Sequence, residues 1–246
     1  MSQLAIIGGT GLTALDGLTI DEKRTVTTPY GMPSSELLFG NFHGKSVVFL
    51  PRHGRGHTVA PHKINYRANI SALHQVGVEK IIAVAAVGGI QVDLPPGALA
   101  VPDQIIDYTY GREQSFYSDN FSPDKHIDFT YPYDEALRQA LLKAAIALNI
   151  TVHDGGTYGA TQGPRLETAA EITRMAQDGC AMVGMTGMPE AYLARELNIS
   201  YASCALMVNW AAGLSDKLIT MAEIEQTLAG GMKQVKQVLA RLIQMQ

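Results

Sequence analysis

The sequence predicts an α/β fold in one domain, residues 1–246, with a mixed β-sheet covered by helices on both faces. Three observations carry that expectation. Apolar runs of strand length alternate with helix-length segments along the chain, which is how a sheet wound with helices reads. Gly40-Asn41-Phe42-His43-Gly44 has turn composition between two such runs, so a hairpin is expected there and some strands must run antiparallel. The 246 residues hold no linker, repeat or low-complexity tract, and one domain accommodates that length.

Strands are expected at 4–7, 36–39, 46–50, 80–86, 98–101, 105–108, 151–153, 181–185 and 201–208. The helices have clearer ends. Asn65 is placed to cap a helix over 66–76 that Gly77 stops, and Asp134 one over 135–148 closed by Asn149. A short polar side chain at such a position accepts from the free N–H groups of the first turn, and Gly or Asn takes the left-handed conformation that ends a helix. Thr168-Ala169-Ala170-Glu171 and Thr220-Met221-Ala222-Glu223 are both capping-box patterns. Pro189 suits the first turn of a short helix through Leu197.

Composition narrows the function. Hydrophobic residues at 46% and charged residues at 17% fit an ordinary folded core. No stretch approaches the length of a membrane span. Met1-Ser2-Gln3-Leu4-Ala5-Ile6-Ile7 lacks the basic region and cleavage site of a signal peptide. Cys180 and Cys204, in apolar surroundings, read as reduced thiols of a cytoplasmic protein. A net charge of −4 argues against nucleic acid as a partner, since that wants a basic face. Small molecules are the expected ligands.

Against this acidic background, Arg52-His53-Gly54-Arg55-Gly56-His57 packs four cationic or potentially cationic side chains and two glycines into six residues after an apolar strand. Glycines bring backbone N–H groups close to a ligand, and Arg offers a fork that matches phosphate oxygens. The expectation is a small-anion pocket at the end of a strand, where open α/β sheets bind ligands. Gly8-Gly9-Thr10-Gly11 is a second strand-to-glycine turn. Gly9-x-Gly11-x-x-Ala14 matches a loose dinucleotide fingerprint, but residues 12–19 contain Gly17 and are too few for the helix that reading needs. The turn instead presents its N–H groups and the Thr10 hydroxyl to a single phosphate. His53, His57 and His62 share no helical face and have no acid close by, so no metal site is expected. Glu167, just before a capped helix, would by itself only complement the helix dipole. Thr186 sits at the mouth of a third strand–turn–helix passage. Asn209 ends a very apolar strand, where a polar group must find partners.

Taken in order, Ile6-Ile7-Gly8-Gly9-Thr10-Gly11, Pro29-Tyr30-Gly31, Arg52-His53-Gly54, Asn65-Tyr66-Arg67-Ala68-Asn69-Ile70, Gly163-Pro164-Arg165 and Gly184-Met185-Thr186 are jointly specific. They resemble the trimeric family of purine nucleoside phosphorylases and methylthioadenosine phosphorylases, from Ile6 to about Leu239. The resemblance implies a twisted mixed sheet and a homotrimer with active sites at subunit interfaces. It places Thr10, Arg52, His53 and Thr186 on phosphate, Met185 behind the ribose, and Glu167 and Asn209 on the base as the catalytic pair. Leu166, Ala86, Gly88, Met221 and Ile224 fall on further substrate positions. His126 matches a residue lent across the interface to a neighbour's 5′ pocket. Two departures stand out. Ala85 replaces a threonine that methylthioadenosine phosphorylases set on phosphate, and Leu166 replaces an aromatic that packs on the base.

The implied reaction is phosphorolysis, with phosphate as co-substrate and no cofactor or metal. Base choice follows from hydrogen-bond polarity. A 6-oxopurine carries a proton on N1 and an acceptor at O6, which match the Glu167 carboxylate and the Asn209 amide. Adenine would set its N1 lone pair against that carboxylate, a mismatch costing about 1–3 kcal/mol. The resemblance agrees, because adenine-cleaving relatives place acids at the positions of Asn209 and Ala211 and a serine at that of Glu167. Inosine- and guanosine-cleaving relatives offer the 5′-hydroxyl a histidine where this chain has Met221, with Ile224 one turn on. A thioether and an aliphatic side chain suit a methylthio group better.

Overall fold

A computed structural model of the protein describes residues 3–12 and 14–245. In chain order its strands are β1 (Gln3–Gly8), β2 (Leu18–Arg24), β3 (Leu37–Phe42), β4 (Lys45–Pro51), β5 (Val78–Gly89), β6 (Leu99–Val101), β7 (Gln104–Asp107), β8 (Val152–Asp154), β9 (Thr157–Ala160), β10 (Cys180–Gly184) and β11 (Ser200–Trp210). The helices are α1 (Tyr66–Gln75), α2 (Glu135–Ile146), α3 (Ala169–Gln177), α4 (Gly187–Glu196) and α5 (Met221–Gln244).

All eleven strands join one mixed sheet. β1 lies parallel between β4 and β5, and β3 and β2 continue beyond β4 as an antiparallel meander. β11 runs parallel to β5 along its length. The other side of β5 changes partner: β1 pairs with it as far as Ile7↔Ala83, and antiparallel β10 pairs only at Gly88 and Gly89. Between these partners that side of β5 is open from Val84 to Val87, and a cleft occupies this gap.

Side-chain alternation along the strands builds a core on each face. Ala5 and Ile7 of β1, with Val48 and Leu50 of β4, pack with Ile70 and Leu73 of α1 and Leu193 and Ala194 of α4. Leu4 and Ile6, with Val47 and Phe49, pack on the other face with Leu141 and Leu142 of α2 and Val235 and Leu239 of α5. Ile172 and Met175 of α3 close a smaller cluster over Cys180 and Val183 of β10.

Local chemistry ends the helices as expected at several points. The Asn65 and Asp134 side chains accept from Ala68 N and Leu137 N, and Thr168 forms the complete capping box with Glu171. Gly77 and Asn149 take positive φ of 83° and 54° just beyond their helices. At Thr220 only half the box forms: its hydroxyl accepts from Glu223 N, while the Glu223 carboxylate bonds that hydroxyl instead of the Thr220 N–H. The hairpin turn is tighter than its composition suggested. Gly40, Asn41 and Phe42 belong to β3, and only His43 and Gly44, with φ of 49° and 89°, make the turn. β2 and β9 were not expected. Beyond its first residue β2 is exposed and, Ile20 apart, polar, so it lacks an apolar period and exists through its pairing with β3. β9 is four residues long and includes Gly159, so only its place between β7 and β10 makes it a strand.

Two adjacent glycines in α5 test the packing. A Cβ at Gly230 would meet nothing within 4 Å, whereas one at Gly231 would come within 2.3 Å of Leu206 Cδ1 on β11. Gly230→Ala should stabilise the protein by about 0.5–1 kcal/mol through helix propensity. Gly231→Ala should destabilise it by about 1–3 kcal/mol despite the same propensity gain. Denaturant unfolding of the pair checks this; equal signs would show that α5 does not seat on β11 as described.

Candidate active site

The gap in the sheet opens into a cleft of about 260 Å³. Its wall brings together Thr10, Arg52, His53, Ala86, Gly88, Leu166, Glu167, Met185, Thr186, Asn209, Met221 and Ile224. These residues come from sequence positions more than two hundred apart, delivered by the ends of β1, β4, β5, β10 and β11 and the start of α5. Among the expected site residues only His126 is absent from it. His126 is exposed at the end of a short 3₁₀ turn, edge-on to Phe121 with ring centroids 5.0 Å apart.

Arg52 carries the main surprise. Its side chain is 1% exposed and lies in a fork-to-fork pair with Glu190 of α4: Nε donates to Oε2 and Nη2 to Oε1, both at 2.7 Å. Nη1 donates to the Val84 carbonyl at 2.9 Å, one residue past the last β1–β5 pair. Tyr201 of β11 donates its hydroxyl to Glu190 Oε1 at 2.8 Å. Burial alone would lower the Arg52 pKa, but the Glu190 charge and its hydrogen bonds outweigh burial and raise it above the ordinary arginine value. Of five N–H protons, two remain free, one on each terminal nitrogen. Gly9 makes room for them, since a Cβ there would lie 2.9 Å from Arg52 Nη1 and 2.5 Å from Val84 O.

The run of cationic residues therefore does not make a net-positive patch. Arg52 is matched by Glu190, and Arg55 points to the surface, 3.4 Å from Glu36. His53 is held down to about 4 by burial, by the Arg52 charge and by His57, against the partial opposition of its bond to Val59. Burial lowers His57 as well. His53 Nδ1 lies 2.9 Å from the Val59 carbonyl, which can only accept, so Nδ1 carries the proton and Nε2 is an acceptor. What this end of the cleft offers is directed hydrogen-bond donors more than net positive charge. Thr186 supplies one such donor: it stands at the N-cap of α4, is 7% exposed, and its hydroxyl makes no cap bond.

Opposite this end lie the base candidates. The β5–β11 register slips between Met207 and Asn209, so Val208 is the extra residue of a bulge and Asn209 pairs with Gly88. Bulges re-aim side chains next to functional sites. A Cβ on Gly88 would come 3.4 Å from Asn209 Nδ2 and 3.2 Å from Val183 Cγ1, so the glycine leaves β10 and β11 a tight clearance where they converge. Asn209 Nδ2 donates to the Trp210 carbonyl at 2.6 Å, leaving one amide proton. Glu167 Oε1 accepts from the Thr161 hydroxyl at 2.6 Å, leaving Oε2 free for a ligand. Leu166 and Met221 line the cleft yet are 43% and 64% exposed, whereas Ile224 at 8% belongs to the core as well. Met221 is therefore not simply a core position of an amphipathic helix.

Sequence reading missed Glu190 and Thr161. Glu190 follows Pro189 in a helix start, where an acid has an ordinary reason to be. Only its complete burial, which an acid tolerates when paired, marks it out. Among the described residues no group of three or more His, Cys, Asp and Glu side chains converges as a metal shell would. No helix among them is long and apolar enough to cross a membrane.

Comparison with known proteins agrees over the whole chain. The family model of the phosphorylase superfamily matches residues 3–244. A probable S-methyl-5′-thioinosine phosphorylase of Pseudomonas syringae pv. tomato is 55% identical over 243 residues, covering 99% of both chains. A 6-oxopurine nucleoside phosphorylase of Pyrococcus furiosus is 46% identical over 233 residues, covering 93% of this chain and 87% of that one. Among solved structures, methylthioadenosine phosphorylase from Schistosoma mansoni in complex with adenine superposes with a TM-score of 0.93 at 33% identity, covering 100% of this chain and 92% of that one.

The depressed His53 gives a pH signature. Folded His53 stays neutral down to about 4, while in the unfolded chain it takes up a proton below about 6.5. Stability from this group is thus present above about 6.5 and is lost as the pH falls towards about 4. His53→Asn, which retains an amide donor for the Val59 carbonyl, should flatten that slope. Denaturant unfolding at several pH values between about 4 and 7 measures it; a variant with the wild-type slope would assign the dependence elsewhere.

Proposed function

The chain belongs to the phosphorylase superfamily, and from that premise we propose that it cleaves S-methyl-5′-thioinosine with inorganic phosphate, giving hypoxanthine and 5-methylthioribose 1-phosphate. The observation that carries the proposal is one cleft with directed anion donors at one end and an acid–amide pair, Glu167 and Asn209, at the other. The reaction is a pentosyl transfer.

Phosphate is held by the two free Arg52 protons and by the hydroxyls of Thr10 and Thr186. The Nε2 acceptor of neutral His53 meets the one P–OH of monohydrogen phosphate. Holding phosphate beneath the ribose, which rests on Met185, removes the entropy cost of a bimolecular encounter. As the glycosidic bond breaks, the phosphate charge stabilises the cationic sugar and the remaining Asn209 amide proton stabilises the charge growing on the base. Glu167 Oε2 accepts from N1–H. Ala86 and Gly88 lie along the substrate, and Leu166 covers the base where relatives use an aromatic ring. The step needs no metal and no cofactor.

At the 5′ end Met221 and Ile224 face a methylthio group. Met221 is largely exposed, and a neighbouring subunit covers it in a homotrimer in which His126 serves the adjacent site. The protein acts in the cytoplasm on small molecules. Light scattering on the active protein checks the assembly, and a fully active monomer would remove His126 from the reaction.

A panel of methylthioinosine, methylthioadenosine, inosine and adenosine, with and without phosphate, tests the reaction. Base release should require phosphate, and methylthioinosine should exceed methylthioadenosine in kcat/KM by roughly tenfold or more, the value of one mismatched buried polar contact. Asn209→Asp should narrow that gap, because an acceptor then faces the 6-amino group. Base release at equal rate without phosphate would make the chain a hydrolase, and equal efficiency on both methylthionucleosides would refute the role given to Glu167 and Asn209.

A further inference from the structure

Arg112 is outside the cleft lining, in the irregular segment after β7, yet its guanidinium is fully committed. Nε donates to Gln162 Oε1 at 3.0 Å, and Nη2 to the carbonyls of Thr161 and Gln162 at 3.1 and 2.8 Å. Nη1 donates to the Met185 carbonyl at 2.9 Å, to the Met188 carbonyl and, more weakly, to the Tyr66 hydroxyl at 3.3 Å. The Tyr66 ring lies beneath, 5.4 Å from the guanidinium carbon. Apart from the Tyr66 hydroxyl on α1, these acceptors belong to two connecting segments, the second of which runs into α4 at Met188. Thr161 and Gln162 open the loop that leads to Glu167, and Met185 and Met188 flank Thr186.

Little else ties those loops together past the sheet. The β9–β10 ladder ends at Ala160↔Gly184, with further bonds from Thr161 N and, more weakly, the Thr161 hydroxyl to the Gly184 carbonyl at 2.8 and 3.3 Å, and a long one from Thr186 N to the Tyr158 hydroxyl at 3.4 Å. Beyond that point Gly163 packs on the Met185 side chain, where a Cβ would lie 2.6 Å from Sδ, and the Arg112 guanidinium supplies the directed polar bridge between the two loops. Arg112 is itself held in place, because Glu196 of α4 accepts from the Ser115 hydroxyl at 2.6 Å and from Phe116 N at 2.8 Å, and Asp107 accepts from Gln114 at 3.1 Å. A planar fork serving carbonyls on two loops is a task a lysine does poorly.

We propose that Arg112 is a positioning residue for phosphorolysis, setting the loop that reads the base against the loop that holds ribose and phosphate. The proposal rests on the function given above. Reacting groups displaced by about 1 Å lose on the order of a hundredfold in rate, so the spacing between these loops governs turnover although Arg112 touches no substrate. It also couples the two ligands, since phosphate that orders one loop orders the other through the same guanidinium.

Arg112→Gln and Arg112→Lys test this in the full chain. Arg112→Gln should lower kcat/KM by about a hundredfold, with KM rising for both nucleoside and phosphate, and Arg112→Lys should recover part of the loss. In calorimetry, the factor by which phosphate tightens hypoxanthine binding, typically about 5–150 for coupled sites, should fall towards unity in Arg112→Gln. A variant with a lowered melting temperature but wild-type kinetics and wild-type coupling would overturn the proposal. If the wild type binds purine and phosphate but turns over no methylthioinosine, the proposed substrate fails, and the calorimetric comparison still decides the role of Arg112.

Discussion

A guanidinium withdrawn from water has to be matched, and in this protein matching Arg52 ties together the end of β4, the carbonyl of Val84 on β5, Glu190 on α4 and Tyr201 on β11. Removing one partner from a buried pair of this kind costs about 3–5 kcal/mol, a large share of the ~5–15 kcal/mol that keeps a domain folded. The pair also sets the electrostatics of the cleft. Glu190 cancels the arginine charge and takes one edge of the fork, so what faces the cleft is a pair of aimed N–H groups.

The sheet supplies the space in which those donors act. Because β1 leaves β5 after Ala83 and β10 joins it only at Gly88, four residues of β5 lack a partner on one side. An unpaired strand edge inside a protein must satisfy its polar groups in other ways, and Arg52 takes the first carbonyl of the gap. At the far end the β11 bulge turns Asn209 into the same opening, and Gly88 gives β10 and β11 the clearance to converge. The cleft is thus a consequence of how three strands share one neighbour. Arg52 and Asn209 stand near the two limits of the gap.

Helix α4 links stability to chemistry more directly than any other element. Thr186 at its start faces the cleft, Glu190 in its first turn holds Arg52, and Glu196 at its end anchors the segment that carries Arg112. A shift of this helix would therefore be felt at the anion donors and at the loop spacing together. That arrangement explains why an acidic residue is tolerated without solvent exposure at Glu190: its partners are the groups that shape the site.

The amino-acid sequence alone determined what depends on neighbours along the chain: the caps at Asn65, Asp134 and Thr168, the left-handed stops at Gly77 and Asn149, the long apolar strands, and the glycine turns that end strands in polar residues. It also singled out Thr10, Arg52, Thr186 and Asn209, because a polar group closing an apolar strand, or a cluster of cationic residues among glycines, is unusual at short range, whereas Glu167 was marked only by the family resemblance. Tertiary structure alone decided the rest. β2 and β9 have no apolar period of their own and exist through pairing. The partnership of Arg52 with Glu190 spans 138 positions, and the bonds of Arg112 to Met185 and Met188 span more than seventy. No local pattern encodes such contacts, since each residue in them has an ordinary local reason to be where it is. Only the folded sheet makes those reasons coincide, and with them the change from a cationic cluster to charge-matched, directed donors lining the cleft.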